Sequence, residues 1–179
     1  MTIGHSTRAI ETFIELLRAQ GVQRLVDVRT IPRSKRNPQF NRDTLPKTLH
    51  SAGVHYTHLG ALGGLRHPSK DSVNLGWRNA SFRGFADYMQ TPEFEAGLGK
   101  LMGLAREEQV AIMCAEAVPW RCHRSLIADA LVVRGIGVRH IMSLTRAEPH
   151  HLTPFAKKKD QRITYPADSL ESEAAPPRR

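Results

Sequence analysis

Short apolar runs alternate with amphipathic helical patterns along this chain, and this alternation limits the possible folds more than any other feature. The predicted strands are residues 1–3, 22–28, 54–57, 110–114 and 136–141. The predicted helices are a segment that ends at Gly21 and residues 43–52, 82–90, 91–105 and 122–134. Such alternation is typical of a largely parallel sheet. We therefore expect the α/β class, a single Rossmann-like three-layer domain with helices on both faces of the sheet.

The two ends of the chain carry weaker patterns. The first strand is so short that we expect its beginning to be encoded upstream of Met1. The helix that follows is predicted to have Ser6 or Thr7 as its cap and Gly21 as its terminating residue.

At the C-terminal end, residues 151–155 and 162–165 indicate an added hairpin or edge strand. The later residues are polar and rich in Pro and Glu, which is typical of disorder. We expect the domain to span residues 1–166 and a disordered tail to span residues 167–179.

The composition is that of a globular protein, with 40% hydrophobic and 24% charged residues. No apolar run approaches the roughly 18 residues that cross a bilayer, and the first residues lack the regions of a signal peptide. We therefore expect a cytoplasmic protein with no membrane partner. The only cysteines, Cys114 and Cys122, are too few for a disulfide framework and are predicted to be reduced thiols.

The net charge of +9 is concentrated in one stretch. Residues 29–83 hold ten Lys and Arg against two Asp, a balance of +8. Such a cluster favours a polyanionic partner, with nucleic acid or a nucleotide first. A solvated basic surface with no partner is the alternative. The same stretch contains the long Gly-rich segment 59–82, whose length is typical of functional or mobile loops.

Three polar segments directly follow predicted strands, and in open α/β sheets ligands bind beyond the carboxyl ends of strands. The first runs from Gly4 to Arg8. Its His5 could act as a general acid or base, because imidazole titrates near neutral pH. The helix N-terminus at Ser6 could hold an anion. A structural turn, with Ser6 as a cap and His5 bonded to the backbone, is equally open.

The second segment is Asp27-Val28-Arg29, where strand alternation puts Asp27 and Arg29 on one side. Arg29 suits bidentate binding of phosphate or carboxylate. An unpaired buried charge is costly, so Asp27 would pair with Arg29 or with a ligand. A purely structural ion pair is the alternative. Arg33, in the basic loop that follows, is a further candidate for phosphate binding.

The third segment runs from Cys114 to Arg124, from the end of one strand to the start of a helix. A thiol at a helix N-terminus beside Arg and His has a lowered pKa, which suits a nucleophile, a redox thiol or a metal ligand. The candidates here are Cys114, Glu116, Cys122 and His123 for catalysis and Arg121 and Arg124 for phosphate binding.

Other interpretations of these residues remain open. The cysteine-phosphatase loop has one residue fewer between its Cys and Arg than separate Cys114 from Arg121, so the match is loose. Adjacent Cys122 and His123 diverge on a helix, so we predict no metal ligands. Simple packing is the other role of buried cysteines. Four aromatic residues in or beside the polar loops either stack bases or anchor the loops: Phe40, Trp77, Phe82 and Trp120.

Taken together, these motifs resemble those of one family. They are Thr-Ile-Gly-His-Ser-Thr-Arg from residue 2, Val-Asp-Val-Arg from residue 26, Pro-Arg-Ser from residue 32, Asn-Pro-Gln-Phe from residue 37, Leu-Gly-Gly from residue 62, Asn-Leu-Gly-Trp-Arg-Asn-Ala-Ser-Phe-Arg from residue 74, Cys-Ala-Glu from residue 114 and Cys-His-Arg from residue 122. On these residues the chain is similar to the family called domain of unknown function 488, from residue 2 to about Pro166.

The resemblance implies the fold and the place of the site, but no reaction. Some members of that family carry labels such as DNA repair protein. The positions that match its motifs are His5, Ser6, Asp27, Arg29, Cys114, Glu116, Cys122, His123 and Arg124.

Two functions of different classes fit these observations best. The first is an enzyme acting on a nucleotide or nucleic acid. Its roles would be phosphate binding by Arg29, Arg124 and the helix N-termini, proton transfer by His5 or His123, orientation or base catalysis by Glu116 and a reactive thiol at Cys114 or Cys122. The second is a noncatalytic nucleic-acid-binding module. A thiol redox or metal protein is a third interpretation, and the reaction class and any cofactor stay open.

Overall fold

The computed structural model of the protein describes residues 1–167, and the α/β fold predicted from the sequence is confirmed. The strands of its main sheet are β1 (Thr2–Gly4), β2 (Arg24–Asp27), β3 (His55–His58), β4 (Val110–Cys114), β5 (Arg139–Ile141) and β6 (Ala147–Pro149). They lie in the order β3-β2-β4-β1-β5-β6, with β6 antiparallel to β5 and the others parallel. The predicted tail falls almost entirely on residues 168–179, which lie outside the described range.

Helices cover both faces of this sheet, as a three-layer domain requires. They are α1 (Ile10–Ala19), α2 (Leu45–Ser51), α3 (Ala80–Tyr88), α4 (Pro92–Glu107) and α5 (Arg124–Val132). The core beside α1 and α2 is separate from the core beside α3, α4 and α5. Short 3₁₀ turns occupy Pro38–Phe40, Gly60–Leu62 and Pro119–Arg121.

The central strand β4 is buried along its whole length, as its continuous apolar run predicts. Its side chains alternate between the two cores. Ile112 and Cys114 belong to the core beside α5, whereas Ala111 and Met113 belong to the core beside α1. This alternation fixes the register of β4 between β1 and β2, because a slip of one residue would exchange the two faces.

The predicted cap of the first helix is wrong, whereas the predicted end is confirmed. Ser6 adopts a left-handed φ of 50°, and α1 begins only after Ala9, which makes no side-chain cap bond. A turn in which the Arg8 N–H donates to the His5 carbonyl, at 3.1 Å, delays the helix start. Gly21, at a φ of 66°, ends the helix in a Schellman arrangement, which favours glycine because left-handed φ strains other residues.

The C-terminal extension differs in detail from the prediction. The strand that extends the sheet is β6 (Ala147–Pro149), while residues 151–155 form no strand. A hairpin of β7 (Lys157–Lys159) and β8 (Arg162–Thr164) follows. Ile163 and Tyr165 pack into the core beside α5, so the extension belongs to the same domain.

Candidate active site

The site lies where the connections leaving two neighbouring strands diverge. The chain passes from β1 to α1 on one face, and from β4 to α5 on the other, although β1 and β4 are paired side by side. Connections that part in this way leave a crevice beyond the carboxyl ends of the strands, where ligands bind in open α/β folds.

The loop after β4 crosses over β1 to form the floor of this crevice. The His5 N–H donates to the Cys114 carbonyl at 3.0 Å, and the Ser6 N–H donates to the Ala115 carbonyl at 2.9 Å. A Cβ atom at Gly4 would overlap the backbone carbonyl of Glu116, so only glycine lets the loop pass this closely.

The crevice holds a pocket of about 660 Å³. Of the residues predicted to form the site, those that line it are His5, Ser6, Arg29, Arg33, Cys114, Glu116, Arg121, Cys122 and His123. Asp27 and Arg124 do not line the pocket but lie behind it, where both are almost fully buried. Segments that are far apart in the sequence therefore meet at one place.

Arg29 is held chiefly by Asp27. Its Nε donates to Asp27 Oδ1 at 2.9 Å, and its Nη2 donates to Asp27 Oδ2 at 2.6 Å and to the Phe40 carbonyl at 2.6 Å. The Tyr56 hydroxyl donates to the same carboxylate at 2.9 Å, and burial together with this charge raises the pKa of Tyr56. The geometry therefore has the form of the structural ion pair, with Asp27 on the Nε and Nη2 edge of Arg29. Binding of a phosphate by Arg29 stays a prediction and would use the Nη1 edge.

His5 is fixed as a neutral imidazole. Its Nδ1 lies 2.8 Å from the Ser6 carbonyl, so Nδ1 carries the proton and Nε2 accepts from Arg29 Nη1 at 3.3 Å. The ring stacks on Phe40 with centroids 4.4 Å apart. Burial, reinforced by Arg29, lowers the pKa of His5 to about 4. With this pKa His5 stays neutral at pH 7, because burial penalises the imidazolium.

His123 is also neutral, with a defined tautomer. Its Nε2 lies 3.1 Å from the Val28 carbonyl and donates to it, which leaves Nδ1 free to accept. Nδ1 lies 3.6 Å from Cys122 Sγ. Burial lowers the pKa of His123 to about 4, so it too departs from the near-neutral titration expected of histidine. Gly64 packs directly on the ring, where a Cβ atom would collide with it.

The two cysteines meet at the floor of the pocket. Cys114 ends β4 and Cys122 precedes α5, and the intervening loop folds back so that their sulfur atoms are in direct contact, with their Cα atoms 7.4 Å apart. The expectation that both thiols are reduced stays a prediction. Both residues line the pocket. The sequence reveals their separation of eight residues, but not this return of the loop.

Arg124 reaches from the start of α5 beneath this pair. Its Nη1 donates to Cys114 Sγ at 2.8 Å and to the Glu116 carbonyl at 2.6 Å, and its Nη2 donates to the Ala117 carbonyl at 2.9 Å. It is only 1% exposed. Arg124 therefore uses most of its Nη donors on protein acceptors, whereas its buried Nε has no hydrogen-bond partner among the described residues. Its predicted role as a phosphate ligand stays a prediction.

The exposed cations of the pocket lie at its rim. Arg33, Arg36 and Arg121 are exposed side chains that line it, together with the exposed Glu116. Two exposed apolar side chains, Ile31 at 62% and Leu65 at 70%, complete the mouth. Sequence reasoning did not assign Arg36, Ile31, Gly64 or Leu65 to the site, although the Leu-Gly-Gly motif marked the right loop.

The four aromatic residues divide between the pocket and the core. Phe82 lines the pocket and Phe40 stacks beneath His5. Trp77 packs against Phe82 with centroids 4.7 Å apart and contacts the core beside α5, so it anchors its loop. Trp120 is 63% exposed and lies outside the pocket.

Two features are absent from residues 1–167. Within this range no group of three or more His, Cys, Asp or Glu side chains is arranged to hold a metal ion. No helix in the same range is long and apolar enough to cross a membrane. The cytoplasmic location stays a prediction.

Comparison with known proteins gives one match. A family model described as domain of unknown function DUF488 matches residues 9–131. The matched range takes in β2, β4 and the loop from Cys114 to Arg124, whereas His5 and Ser6 precede it. No curated protein and no solved structure matches the chain.

Proposed function

This chain belongs to the DUF488 family of domains of unknown function, and from that premise we propose that it is an enzyme acting on a nucleotide or nucleic-acid substrate through a phosphate group. The observation that carries the proposal is one pocket with three exposed arginines at its rim and sulfur and imidazole groups at its floor. A cationic rim above buried reactive groups suits an anionic substrate whose reacting atom enters the pocket.

In this proposal the arginines at the rim of the pocket bind the phosphate. Arg33, Arg36 and Arg121 are exposed and face the pocket, so they can close on phosphate oxygens without losing a protein partner. Arg29 contributes only its Nη1 edge, since Asp27 holds the rest of its guanidinium. Arg124 stays below the floor and acts on the substrate only through Cys114.

The floor supplies the reactive groups. Cys114, reduced, is the proposed reactive thiol, because the Arg124 guanidinium lies 2.8 Å from its sulfur and stabilises a thiolate. Glu116 is the proposed base, since its side chain is exposed at the pocket. His5 and His123, both neutral, orient Arg29 and Cys122 rather than carry protons at neutral pH.

The test is a turnover screen with reduced protein. Mononucleotides, single-stranded and duplex DNA, and RNA are incubated with the full chain, and products are identified by mass spectrometry. We expect Cys114→Ser to abolish turnover of the substrate found. Loss of one charge-assisted bond costs about 1.5–3 kcal/mol, so Arg121→Ala raises KM about tenfold or more.

The matched control for Arg121→Ala is Arg146→Ala, which removes an exposed arginine that does not line the pocket. We expect it to leave KM unchanged. Activity that survives both His5→Ala and Cys122→Ser would contradict the assignment of the site.

A noncatalytic nucleic-acid-binding module is the second candidate, and the +8 balance of residues 29–83 favours it. It predicts binding that weakens steeply with salt, with a slope of about −0.9 per phosphate contacted on duplex DNA. It also predicts that Cys114→Ser binds as well as the parent chain and that no product forms. Association with DNA repair would follow from this candidate only if damaged DNA were preferred.

A further inference from the structure

Within residues 1–167 no carboxylate forms an ion pair with Arg124, although the exposed Glu116 attracts it at longer range. Its acceptors within residues 1–167 are the carbonyls of Ile3, Glu116 and Ala117 and the sulfur of Cys114. A buried cation without a counter-charge is costly. Burial lowers the pKa of Arg124 to about 10, which still leaves it charged at neutral pH.

Cys114 is the one contact of Arg124 that can acquire a negative charge. In the bridged state its sulfur is neutral, so no counter-charge is in contact with the guanidinium. In the reduced state a thiolate at this position, 2.8 Å from Nη1, would supply the missing counter-charge. The environment of Arg124 therefore stabilises the reduced form of the pair relative to the disulfide.

Cys122 has a different environment. The lone pair of His123 Nδ1 lies 3.6 Å from its sulfur, so a thiol at Cys122 can donate its proton there. The pKa of His123, about 4, lies well below that of an ordinary thiol, so the proton stays on sulfur. The pair is thus asymmetric, with one sulfur suited to a thiolate and the other to a thiol.

We propose that Cys114 and Cys122 form a reversible disulfide–dithiol couple that exchanges with low-molecular-weight thiols, with Cys114 as the leaving thiolate. The inference rests on the surroundings of the two sulfurs and not on the nucleotide activity proposed above. Both cysteines line the open pocket, which gives a small thiol a route to them.

The exchange takes place in two steps. A small thiolate RS⁻ attacks Cys122 Sγ, an R–S–S–Cys122 bond forms, and the bond between Cys122 and Cys114 breaks, with its electron pair left on Cys114 beside Arg124. The thiol with the lower pKa is the better leaving group, which selects Cys114. A second RS⁻ then attacks the R sulfur, RSSR departs, and the Cys122 sulfur takes up a proton. In sum, the disulfide and two RSH give the Cys114 thiolate, the Cys122 thiol, RSSR and one H⁺.

The groups that face Cys114 come from several elements. Arg124 from α5 contacts its sulfur directly. The titratable and charged groups that line the same pocket are His5, Arg29, Arg33, Arg36, Glu116, Arg121 and His123. The two imidazoles are neutral and the arginines are cations, so the exposed Glu116 is the one group of this set that opposes a thiolate. We therefore expect these surroundings to stabilise a thiolate at Cys114.

The first experiment uses the bridged full-length protein and reduced glutathione as probe. After incubation the free thiols are alkylated with iodoacetamide, and the intact mass is measured. We expect two added groups, and none after reoxidation with oxidised glutathione. The proposal would be overturned if no groups were added after glutathione but two were added after a phosphine reductant. That result would mean a purely structural disulfide.

The second experiment separates the two sulfurs in matched single variants. A thiol whose pKa is about two units lower reacts about tenfold faster below both pKa values, after its weaker nucleophilicity is included. We expect iodoacetamide at pH 6.5 to react about tenfold faster with Cys122→Ser, which keeps Cys114, than with Cys114→Ser. Equal rates, or the opposite order, would contradict the assigned asymmetry. Because neither readout involves a nucleotide, failure of either proposal is visible independently of the other.

Discussion

Two buried arginines stand at the same pocket, and their charges are balanced in different ways. Arg29, 7% exposed, is gripped by both carboxylate oxygens of Asp27. Arg124, 1% exposed, meets carbonyl oxygens and the sulfur of Cys114. The first arginine belongs to the side of the pocket formed by β2, and the second belongs to the side formed by α5.

This difference between Arg29 and Arg124 indicates that the β2 side of the pocket is structural and that the α5 side carries the reactive group. On the β2 side the buried charges of Asp27 and Arg29 pair with each other, so a ligand gains little from Arg29 except its Nη1 edge. On the α5 side the counter-charge of Arg124 depends on the state of Cys114. Chemistry at this pocket is therefore expected beside α5, while the β2 side holds the wall in place.

The largest expected effect comes from removing the carboxylate of the Asp27–Arg29 ion pair. Asp27→Ala leaves the Arg29 guanidinium buried without its carboxylate, and removing one partner of a buried pair costs about 3–5 kcal/mol. The free energy of unfolding, measured by urea denaturation, should fall by this amount. The urea dependence of that free energy should stay unchanged if the fold is kept.

The matched control for Asp27→Ala is Glu148→Ala, which breaks the exposed pair of Arg146 and Glu148. Exposed pairs are worth about 0–1 kcal/mol, so this variant should unfold almost like the parent chain. If Asp27→Ala proved equally mild, the β2 side would not be the closed structural unit inferred here.

The second effect is on the pH dependence of stability, to which His123, next to α5, contributes. In the folded protein the pKa of His123 is about 4, whereas in the unfolded chain it lies near 6.5. Below pH 6.5 His123 binds a proton in the unfolded chain but not in the folded chain. The free energy of unfolding therefore falls as the pH drops from 6.5 to 4. For this residue the loss is on the order of 3 kcal/mol at pH 4, and urea denaturation at several pH values measures it.

His123→Gln isolates this effect, because a Gln amide can still donate to the Val28 carbonyl that His123 bonds. We expect stability in this variant to depend less steeply on pH between 6.5 and 4. His151→Gln, at an exposed position outside the pocket, is the control. A pH dependence that is the same in parent and His123→Gln would show that another group carries the acid sensitivity.

How far the sequence predicts this pocket depends on the kind of interaction. The apolar run of β4 and the polar segments after the strands predict where the pocket lies, because the positions of the strands and their burial follow from periodicity. The sequence also predicts that Asp27 and Arg29 share a side of their strand, but it cannot choose between an ion pair and a ligand. That choice depends on Phe40 and Tyr56, which reach Asp27 and Arg29 from other elements.

The protonation states and the path of the β4 loop were beyond the sequence for a related reason. Burial sets the pKa of His5 and His123, and burial is a property of the packed fold. The contact between Cys114 and Cys122 depends on how the loop folds over β1. The close approach of the Glu116 carbonyl to Gly4 likewise follows from the path of this loop.

The smallest of these effects comes from a substitution at Gly4, where the loop after β4 crosses over β1. In Gly4→Ala the new Cβ would overlap the Glu116 carbonyl and lie 2.7 Å from Arg124 Nη1, so the loop must shift away from β1. Overpacking of this kind costs about 1–3 kcal/mol, and it should also move Arg124 from Cys114. Gly99→Ala, where a Cβ would meet nothing within 4 Å in helix α4, is the control and should if anything stabilise the chain. Iodoacetamide applied to reduced protein at pH 6.5 reports on Arg124. If Gly4→Ala lowers stability but leaves the reactivity of Cys114 unchanged, then the guanidinium does not set that reactivity, and the contrast between the two arginines loses its chemical meaning.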